Sequence, residues 1–488
     1  MSQSRRAFWI VFLVASIPLN GWWTTGLFDL DEGFYGAVVG EMNRRGEWIV
    51  PYYNGFAWWE KPILLYWMAK PSVALFGQDV GPRLPSVLSA LIGYAVVFWW
   101  AKRRLSLAAA QISVLVLGTS VLWVGLSRMM MTDLPLSVAF CAACLLFYES
   151  LIGDRRWRIA VGALLGLGVL AKGPVAILLF VPIAAWTLWR HPNLRAGAKG
   201  SWLGGIAALG AVVSTWYLPA YLQHGQVFVQ KFLVEQNLNR FTGGDAAHTL
   251  GGIGSLFVFI PVLLLGMAPW SFRLFGKAPR SDTVTSYLWT MALAPFLFFS
   301  LSGAKLVHYV LPCVIPLALL VGDRLSFLWS EDGVELRPRK LVGSAIGCLV
   351  MSVLANVGFA AWYSLSGHAE VHGLAKVVPA GENVSAYQMP RRQRDRGTGR
   401  AKIQETSHPS LAFYLDRVLL EAESPRELAK APMPLYVITR NNRLSQADFA
   451  LLRASGLNVA RLTKDARSRY QLFLLTSKVG VSSVATHP

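Results

Sequence analysis

The chain has 488 residues, of which 54% are hydrophobic and only 15% are charged, and its formal net charge is +19. Soluble proteins carry about 25% charged residues, so a chain this long and this poor in charge is expected to be embedded in lipid. A nucleic-acid binder places its Lys and Arg on one solvated face, whereas a membrane protein places them at the ends of its spans. The distribution of charge along the chain therefore decides between these classes.

Apolar segments that are long enough to cross a bilayer recur over the first three quarters of the chain. A helix needs about 20 apolar residues to span the hydrocarbon core. The first segment has no small-residue cleavage signal and is expected to remain as an uncleaved span. We predict about eleven transmembrane helices, near residues 7–27, 83–101, 107–126, 134–152, 158–172, 174–189, 201–221, 253–272, 283–301, 306–323 and 341–364.

Basic residues cluster in alternate loops between these segments. The clusters lie at 5–6, 102–104, 155–158, 190–199, 273–280 and 324–340. Under the positive-inside rule these loops face the cytoplasm, which places the N-terminus inside and the remaining loops outside. Because the basic residues follow the topology, no nucleic-acid partner is expected.

From about residue 365 the composition changes to short β-prone runs and amphipathic stretches. A tail of this length suffices for one small domain. The predicted fold is an all-α polytopic membrane domain over 1–364, with a catalytic outer loop at 28–82, and a small α/β extracytoplasmic domain over 365–488. The four cysteines lie in apolar segments, where packing rather than disulfide formation is expected. They are Cys141, Cys144, Cys313 and Cys348.

The first outer loop opens with three carboxylates, Asp29, Asp31 and Glu32. Acids this close repel one another unless a cation or hydrogen-bond donors hold them, so they are candidate site residues. A plainer alternative is a helix start, with Asp29 or Asp31 as the N-cap and Glu32 in the first turn. The two interpretations are compatible. The Trp and Tyr residues of the same loop also fit an interfacial aromatic belt.

Five cations reach the predicted outer face from separate loops. Each cation taken alone could simply extend its charged end to the lipid headgroups. For Arg128, a structural ion pair with Asp133 is a second plain explanation. All five together, beside carboxylates, indicate a site for an anionic lipid headgroup, since Lys and Arg suit phosphate. The five are Lys61, Arg128, Lys172, Arg240 and Lys305.

These residues resemble those of the GT-C membrane glycosyltransferases, which take a sugar from a polyprenyl phosphate. The sequence looks most like the bacterial aminoarabinose transferases that modify lipid A and the related protein-mannosyltransferase-like family. The resemblance covers about the first 320 residues. It is strongest in the first loop, at Asp31, Glu32, Tyr35, Gly46, Trp48, Pro51, Asn54, Gly55, Glu60, Lys61, Pro62, Leu64, Tyr66 and Trp67.

The resemblance implies a role for each candidate residue. Asp31 would be the leading catalytic carboxylate, with Asp133 and Glu32 as further acidic groups. Glu60 would be a metal ligand or a polar anchor. The cations would hold the donor phosphate, namely Lys61, Arg240, Arg128, Lys172 and Lys305. Substrate contacts would come from Tyr35, Tyr66 and Tyr309.

The implied reaction is an inverting transfer of sugar from a polyprenyl-phosphate donor to a cell-envelope acceptor, first of all lipid A or lipopolysaccharide. It would take place at the outer face of the bacterial inner membrane, in a monomer. A divalent metal is an open option, and no nucleotide cofactor is expected because the cytoplasmic loops hold no Gly-rich phosphate loop. The alternatives are a protein O-glycosyltransferase and, in another class, a transporter or flippase of anionic lipids. A transporter would need ionisable residues near the membrane midplane.

The chain departs from its close relatives in two ways. They carry a His shortly before an Arg-Phe pair, where this chain has Gln236 and Asn237. A metal site that depends on that His would lack it here, and the nearby imidazoles are His224, His248 and His308. The predicted spans also number about eleven rather than the roughly thirteen of the aminoarabinose enzymes.

Overall fold

The computed structural model of the chain describes residues 3–239, 257–274, 282–303, 305–331, 335–389, 391–395, 402–406, 408–465 and 467–478. The chain divides into two compact units. The first, which we call the helical unit, comprises Met1–Trp23, Trp59–Ser72 and Val80–Gly358. The second, the sheet unit, comprises Thr24–Trp58, Val73–Asp79 and Phe359–Pro488. The predicted domain boundary at residue 365 stays a prediction.

Helices dominate the chain as far as residue 365. In order they are α1 (Gln3–Ser16), α2 (Asp31–Arg45), α3 (Leu64–Val80), α4 (Leu84–Arg104), α5 (Leu107–Thr119), α6 (Val121–Ser127), α7 (Asp133–Ile152), α8 (Trp157–Lys172), α9 (Val175–Arg190), α10 (Arg195–Ala198), α11 (Leu203–Phe228), α12 (Phe259–Gly266), α13 (Thr283–Leu301), α14 (Val314–Trp329) and α15 (Pro338–Leu365). Two short hairpins accompany them, β1 (Tyr52–Tyr53) with β2 (Phe56–Ala57), and β3 (Ser330–Glu331) with β4 (Glu335–Leu336). Helix α2 and the first hairpin belong to the sheet unit.

Among the described residues, six helices are long and apolar enough to cross a membrane. They are α4, α7, α11 with its continuation, α13, α14 with the preceding 3-10 turn, and α15. The total rises to eight if two bent pairs count as one span each: α5 with α6, bent by 66°, and α9 with the short helices after it, bent by 106°. The chain is thus a multi-pass membrane protein, in which helices satisfy the backbone groups internally. Every predicted segment contains helix in its described part, and the number eleven stays a prediction.

Small residues allow close helix contacts in the helical unit. Helix α8 packs against both α7 and α11. A Cβ placed on Gly162 of α8 would lie 1.8 Å from the carbonyl oxygen of Gly205 on α11. Only a residue without a side chain permits this approach of two backbones, which is how membrane helices gain packing energy without a hydrophobic driving force between them. The four cysteines are free and buried in this unit, as predicted.

The sheet unit contains a mixed sheet with short helices. Its elements are α16 (His368–Val377), β5 (Asn383–Tyr387), β6 (Arg391–Asp395), β7 (Lys402–Thr406), α17 (Ser410–Tyr414), β8 (Leu420–Ala422), α18 (Pro425–Ala429), β9 (Leu435–Arg440), α19 (Gln446–Ala454), β10 (Leu457–Arg461) and β11 (Tyr470–Ser477). The sheet has the order β10-β11-β9-β5-β8. The pairs of β5 with β8 and β9 are parallel and the others antiparallel. The predicted small α/β fold of the tail is confirmed.

Part of the first loop folds with this sheet unit. Helix α2 packs against α17. The Arg44 guanidinium of α2 lies 2.6 Å from Asp416, and the Asn54 side chain bonds both the amide and the carbonyl of Leu419. These contacts place the carboxylates at the start of α2 beside the tail.

Candidate functional site

A buried ion pair joins the ends of two helices in the helical unit. Asp133 is the first residue of α7 and Lys172 is the last residue of α8. The Lys172 Nζ lies 2.5 Å from Asp133 Oδ1, and the two side chains are 12% and 4% exposed. An acid at a helix N-terminus and a base at a C-terminus each complement the helix dipole. Both helices therefore favour the ionised pair.

The segment Val307–Cys313 adds two rings to this pair, and we call the group of Asp133, Lys172, His308 and Tyr309 the Asp133 cluster. His308 Nε2 lies 3.8 Å from Asp133 Oδ2. The Lys172 Nζ lies 4.1 Å from the centre of the Tyr309 ring, a cation–π arrangement. Lys61 adds an electrostatic attraction for the Asp133 carboxylate. The structure thus brings together Asp133, Lys172 and Tyr309, which were predicted to be site residues. It adds His308, one of the three imidazoles named in the sequence analysis.

Two other predicted phosphate ligands bind oxygen atoms of the protein itself. The Lys305 ammonium donates to two carbonyl oxygens at the end of α13, at 2.6 and 2.8 Å, and burial lowers its pKa. Arg128 is 1% exposed and donates to the Gly21 carbonyl at 3.0 Å and to the Asn356 side chain at 2.8 Å. The sequence also allowed an ion pair between Arg128 and Asp133. In the described part of the chain, the Asp133 carboxylate pairs with Lys172 instead. A role of Lys305 and Arg128 at a phosphate stays a prediction.

The remaining residues of the motif lie at different depths. Glu60 and Lys61 directly precede α3, are partly buried and interact with neighbouring groups. Tyr35 on α2 and Tyr66 on α3 are buried, at 4% and 0% exposure. Arg240 lies outside the described residues. Within the described part of the chain, Glu60 belongs to no group of three or more metal-binding side chains, so a metal at Glu60 stays a prediction.

The carboxylates at the start of α2 differ in exposure. Asp31, the first residue of the helix, is exposed, whereas Glu32 is fully buried. The Glu32 carboxylate accepts a hydrogen bond from the backbone N–H of Phe28 at 3.0 Å. The N-cap is Leu30, which offers no capping side chain, so the expectation of Asp29 or Asp31 as the cap is wrong. Glu32 lies in the first turn, as expected. Asp31 is therefore the carboxylate that remains open to a substrate.

Donors and imidazoles surround the side chain of Asp29, which is 3% exposed. Its Oδ1 accepts the Ser410 N–H at 2.9 Å, and its Oδ2 accepts the Ser410 hydroxyl at 2.6 Å. The same Oδ2 lies 3.1 Å from His408 Nδ1 and 3.5 Å from His368 Nε2. A Cβ at Gly33 would lie 1.8 Å from Oδ1, so a glycine there makes room for the carboxylate. Asp29, His368 and His408, which we call the Asp29 cluster, have ligand atoms within 4.8 Å of one another and can hold a metal ion.

Hydroxyl groups orient both imidazoles of the Asp29 cluster. The Tyr470 hydroxyl lies 2.6 Å from His408 Nε2, and the Ser366 hydroxyl bonds His368 Nδ1. The Asp29 N–H donates to His368 Nε2 at 2.9 Å. Burial lowers the pKa of His368, and the nearby carboxylates act in the opposite direction. His368 is therefore a neutral imidazole with a lone pair at neutral pH.

Sequence reasoning named Asp29 but missed its partners. One signal was available: His368 and His372 lie four residues apart, which places both rings on one face of a helix. His408 directly precedes Pro409, and nothing in that local pattern indicates a ligand. No pattern in the sequence connects residue 29 with residue 408.

The helical unit contains an apolar cavity, and some residues that line it are close in sequence to Asp133 and Lys61. Its volume is about 280 Å³, and side chains of α3, α4, α7 and α8 line it. The lining includes Leu64, three residues after Lys61, and Pro135, two residues after Asp133. An apolar cavity whose lining follows Lys61 and Asp133 so closely in sequence suits a ligand with a polar head and a hydrocarbon tail.

Comparison with known proteins identifies one matching family and several similar transferases. Residues 60–218 match the family described as dolichyl-phosphate-mannose-protein mannosyltransferase. The chain is 30% identical to an undecaprenyl phosphate-alpha-4-amino-4-deoxy-L-arabinose arabinosyl transferase of Edwardsiella ictaluri, over 74% of this chain and 66% of the relative. It is also 30% identical to the enzyme of the same name from Pseudomonas aeruginosa strain UCBPP-PA14, over 72% of this chain and 66% of the relative. The chain thus spans just under two thirds of the length of these relatives.

A solved structure shares the fold over nearly the whole chain. The crystal structure of ArnT from Cupriavidus metallidurans bound to undecaprenyl phosphate superposes with a TM-score of 0.73, over 96% of each chain, at 18% identity. The chain therefore shares the fold of this membrane transferase. The GT-C fold expected from the first loop is thereby confirmed. In this chain, the Asp133 cluster lies in the helical unit, and the Asp29 cluster lies in the sheet unit.

Proposed function

We propose that this chain transfers a sugar of the 4-amino-4-deoxy-L-arabinose type from undecaprenyl phosphate to lipid A at the outer face of a bacterial inner membrane. The observation that carries the proposal is an apolar cavity whose lining includes Leu64 and Pro135, which follow Lys61 and Asp133 by three and two residues. The Lys172 ammonium beside Asp133 is a donor that a lipid phosphate could bind, and the cavity offers an apolar surface for a hydrocarbon chain. The names of the relatives supply the sugar and the carrier.

In this mechanism the bond between the anomeric carbon and the donor phosphate oxygen breaks, and the electron pair stays on the lipid phosphate. Fixed cations at Lys61 and Lys172 stabilise the charge that develops there, since preorganised charge in a dry site is worth more than in water. An acceptor oxygen forms the new bond from the opposite face, which inverts the anomeric carbon. A phosphate acceptor is already deprotonated, so the exposed Asp31 would position the acceptor rather than take a proton.

The test replaces charged side chains of the proposed site one at a time. Asp31→Asn and Lys61→Ala are expected to abolish the change in lipid A mass, with the protein still in the membrane. The measurement is mass spectrometry of lipid A from a strain that lacks its own transferase and expresses each variant. The matched control is Lys102→Ala, because Lys102 is an exposed lysine at the far end of α4, bonded to Ser4. Wild-type modification in both site variants would refute the proposal.

A protein acceptor is the second candidate, because the matched family model carries a protein mannosyltransferase description. The same strains decide this point when envelope glycoproteins and glycans are compared alongside lipid A. A change in glycoproteins alone would replace the lipid acceptor with a protein. Lipid transport in reconstituted vesicles without any glycosyl product would indicate a flippase instead.

A further inference from the structure

The Asp29 cluster has no part in the transfer chemistry described above. Its three side chains come from the first loop, from the start of α16 and from the segment before α17. Within the described part of the chain it is the one group of three or more His, Cys, Asp or Glu side chains with metal-ligand spacing. We infer that Asp29, His368 and His408 form a binding site for a divalent cation of the zinc class.

The distances match tetrahedral coordination. Zinc binds imidazole nitrogen and carboxylate oxygen at about 2.0–2.2 Å, so ligand atoms around a tetrahedral ion lie roughly 3.3–3.5 Å from one another. Asp29 Oδ2 lies 3.1 Å from His408 Nδ1 and 3.5 Å from His368 Nε2. Two imidazoles and a carboxylate also form a ligand set that zinc favours.

One nitrogen of each imidazole ring can act as a metal ligand. His368 Nε2 accepts the Asp29 N–H and is therefore unprotonated, so a bound cation would replace this hydrogen bond at the same lone pair; Nε2 also lies 3.5 Å from the Asp29 carboxylate. Two acceptors at this separation repel unless a cation lies close to both. His408 presents a second lone pair at Nδ1 when its proton is on Nε2, where the Tyr470 oxygen accepts it at 2.6 Å.

The outer partners of the imidazoles support a metal site. Metal-binding histidines nearly always bond their second nitrogen to another group, which fixes the tautomer and the ring orientation. Both rings meet this condition, His368 through Ser366 and His408 through Tyr470. The rings are also buried, at 6% and 5% exposure, which excludes competing water.

The bound cation would link three parts of the sheet unit that are far apart in sequence. Asp29 lies two residues before Asp31, so the ion would fix the start of α2. This consequence rests on the proposed function, because it matters for transfer only if Asp31 acts there. The cation would be structural, and residues that hold it would position Asp31 rather than touch the substrate.

The test measures zinc binding by the full-length protein in detergent, without reference to activity. Protein stripped with a chelator is titrated with Zn²⁺ against a chromophoric zinc chelator, and bound metal is counted by mass spectrometry. We expect one equivalent in the wild type. His368→Ala and His408→Ala should each weaken the apparent affinity by at least about 100-fold, since even outer-shell changes cost 10- to 100-fold.

The matched control is His372→Gln on the same helix, α16. His372 is equally buried at 3% exposure, but its nitrogens bond Ser410 and Tyr363 rather than the Asp29 carboxylate. This variant should keep one tightly bound equivalent. A Co²⁺-loaded wild type should show the visible spectrum of tetrahedral cobalt, a readout that does not depend on how well a variant folds.

Two results would overturn the inference. One is wild-type protein that retains no zinc at micromolar free metal; the other is a His368→Ala/His408→Ala double variant that binds as tightly as the wild type. The result is separable from the proposed function. Zinc binding with unmodified lipid A would contradict the transferase proposal and leave the metal site. Modified lipid A without zinc binding would contradict the metal site and leave the transferase proposal.

Discussion

At the scale of single residues, the Asp133–Lys172 pair is the most informative contact in the helical unit. Both side chains are nearly buried and 2.5 Å apart. A buried pair is costly to desolvate, so its presence is weak evidence for a contribution to stability. The His308 and Tyr309 rings lie beside the pair, one 3.8 Å from the Asp133 carboxylate and the other 4.1 Å from the Lys172 ammonium.

Removing one partner of this pair separates its two possible roles. Lys172→Met leaves the Asp133 carboxylate buried without its ammonium, and we expect a loss of about 3–5 kcal/mol in the free energy of unfolding. Asp133→Leu combined with Lys172→Met should recover most of that loss, because an apolar pair of similar volume avoids desolvation. Transfer activity should stay absent in both. Denaturant titration in detergent and the lipid A assay provide the two measurements.

Two outcomes of these stability and activity measurements would contradict a role of the pair in transfer or its burial as an ion pair. A double variant that regains transfer would show that the pair only holds α7 and α8 together. A single Lys172→Met variant as stable as the wild type would show that the pair is not buried as an ion pair in the membrane.

A second residue-scale prediction concerns pH. Burial keeps the pKa of His368 below its ordinary value of 6.5, despite the opposing carboxylates of Asp29 and Glu32, while His408 lowers it further. The unfolded chain therefore binds a proton first as the pH falls. The stability contributed by neutral His368 is complete above the unfolded pKa and is lost as the pH drops through 6.5 toward the folded pKa.

We therefore expect the melting temperature of metal-free protein to fall between about pH 7.5 and 5.5. His368→Gln should flatten this slope, since glutamine does not titrate. Thermal scans of both proteins in one buffer series check the expectation. Equal slopes in the two proteins would place the pH sensitivity elsewhere.

At the scale of elements, a helix could be predicted where its own residues carry the pattern that determines it. The apolar segments predicted helices correctly, because a membrane span satisfies its own backbone. Helix α3 was missed within the first loop, since it carries Lys70 and Pro71, which interrupt its apolar run. The 66° break between α5 and α6 also escaped prediction, because both sides of Ser120 are equally apolar.

The same distinction applies to the candidate site. Asp133, Lys172 and Tyr309 were predicted to share one face, because each lies at the end of a predicted span and topology alone groups span ends. Lys305 also lies at such an end, yet it caps α13. Sequence position identifies the face on which a side chain lies but not the oxygen that its ammonium binds.

At the scale of the whole molecule, the chain combines a helical unit with a sheet unit that draws on both ends of the sequence. The tail residues from 359 onward fold with 24–58 of the first loop. Local patterns cannot reveal such a pairing, because its contacts, such as Asp29 with Ser410, join residues far apart in sequence. It follows that the sheet unit and the first loop must lie on the same side of the membrane.

The side on which they lie can be tested by cysteine accessibility. The four native cysteines are buried, so they give little background. Lys430→Cys puts a thiol on an exposed position of the sheet unit, and Arg156→Cys puts one in the loop between α7 and α8, where the native side chain is 90% exposed. The positive-inside rule assigns that basic loop to the cytoplasm and the tail to the outside.

We expect a membrane-impermeant maleimide to label Lys430→Cys in intact spheroplasts and Arg156→Cys only after permeabilisation. Wild-type protein treated in parallel measures the background from the buried thiols. Labelling of Arg156→Cys alone in intact spheroplasts would reverse the orientation. It would also place Asp31 on the cytoplasmic side, away from a lipid acceptor in the outer leaflet. Labelling of Lys430→Cys alone puts Asp31, which folds in the same unit as Lys430, on the side where an undecaprenyl-linked sugar and lipid A can meet.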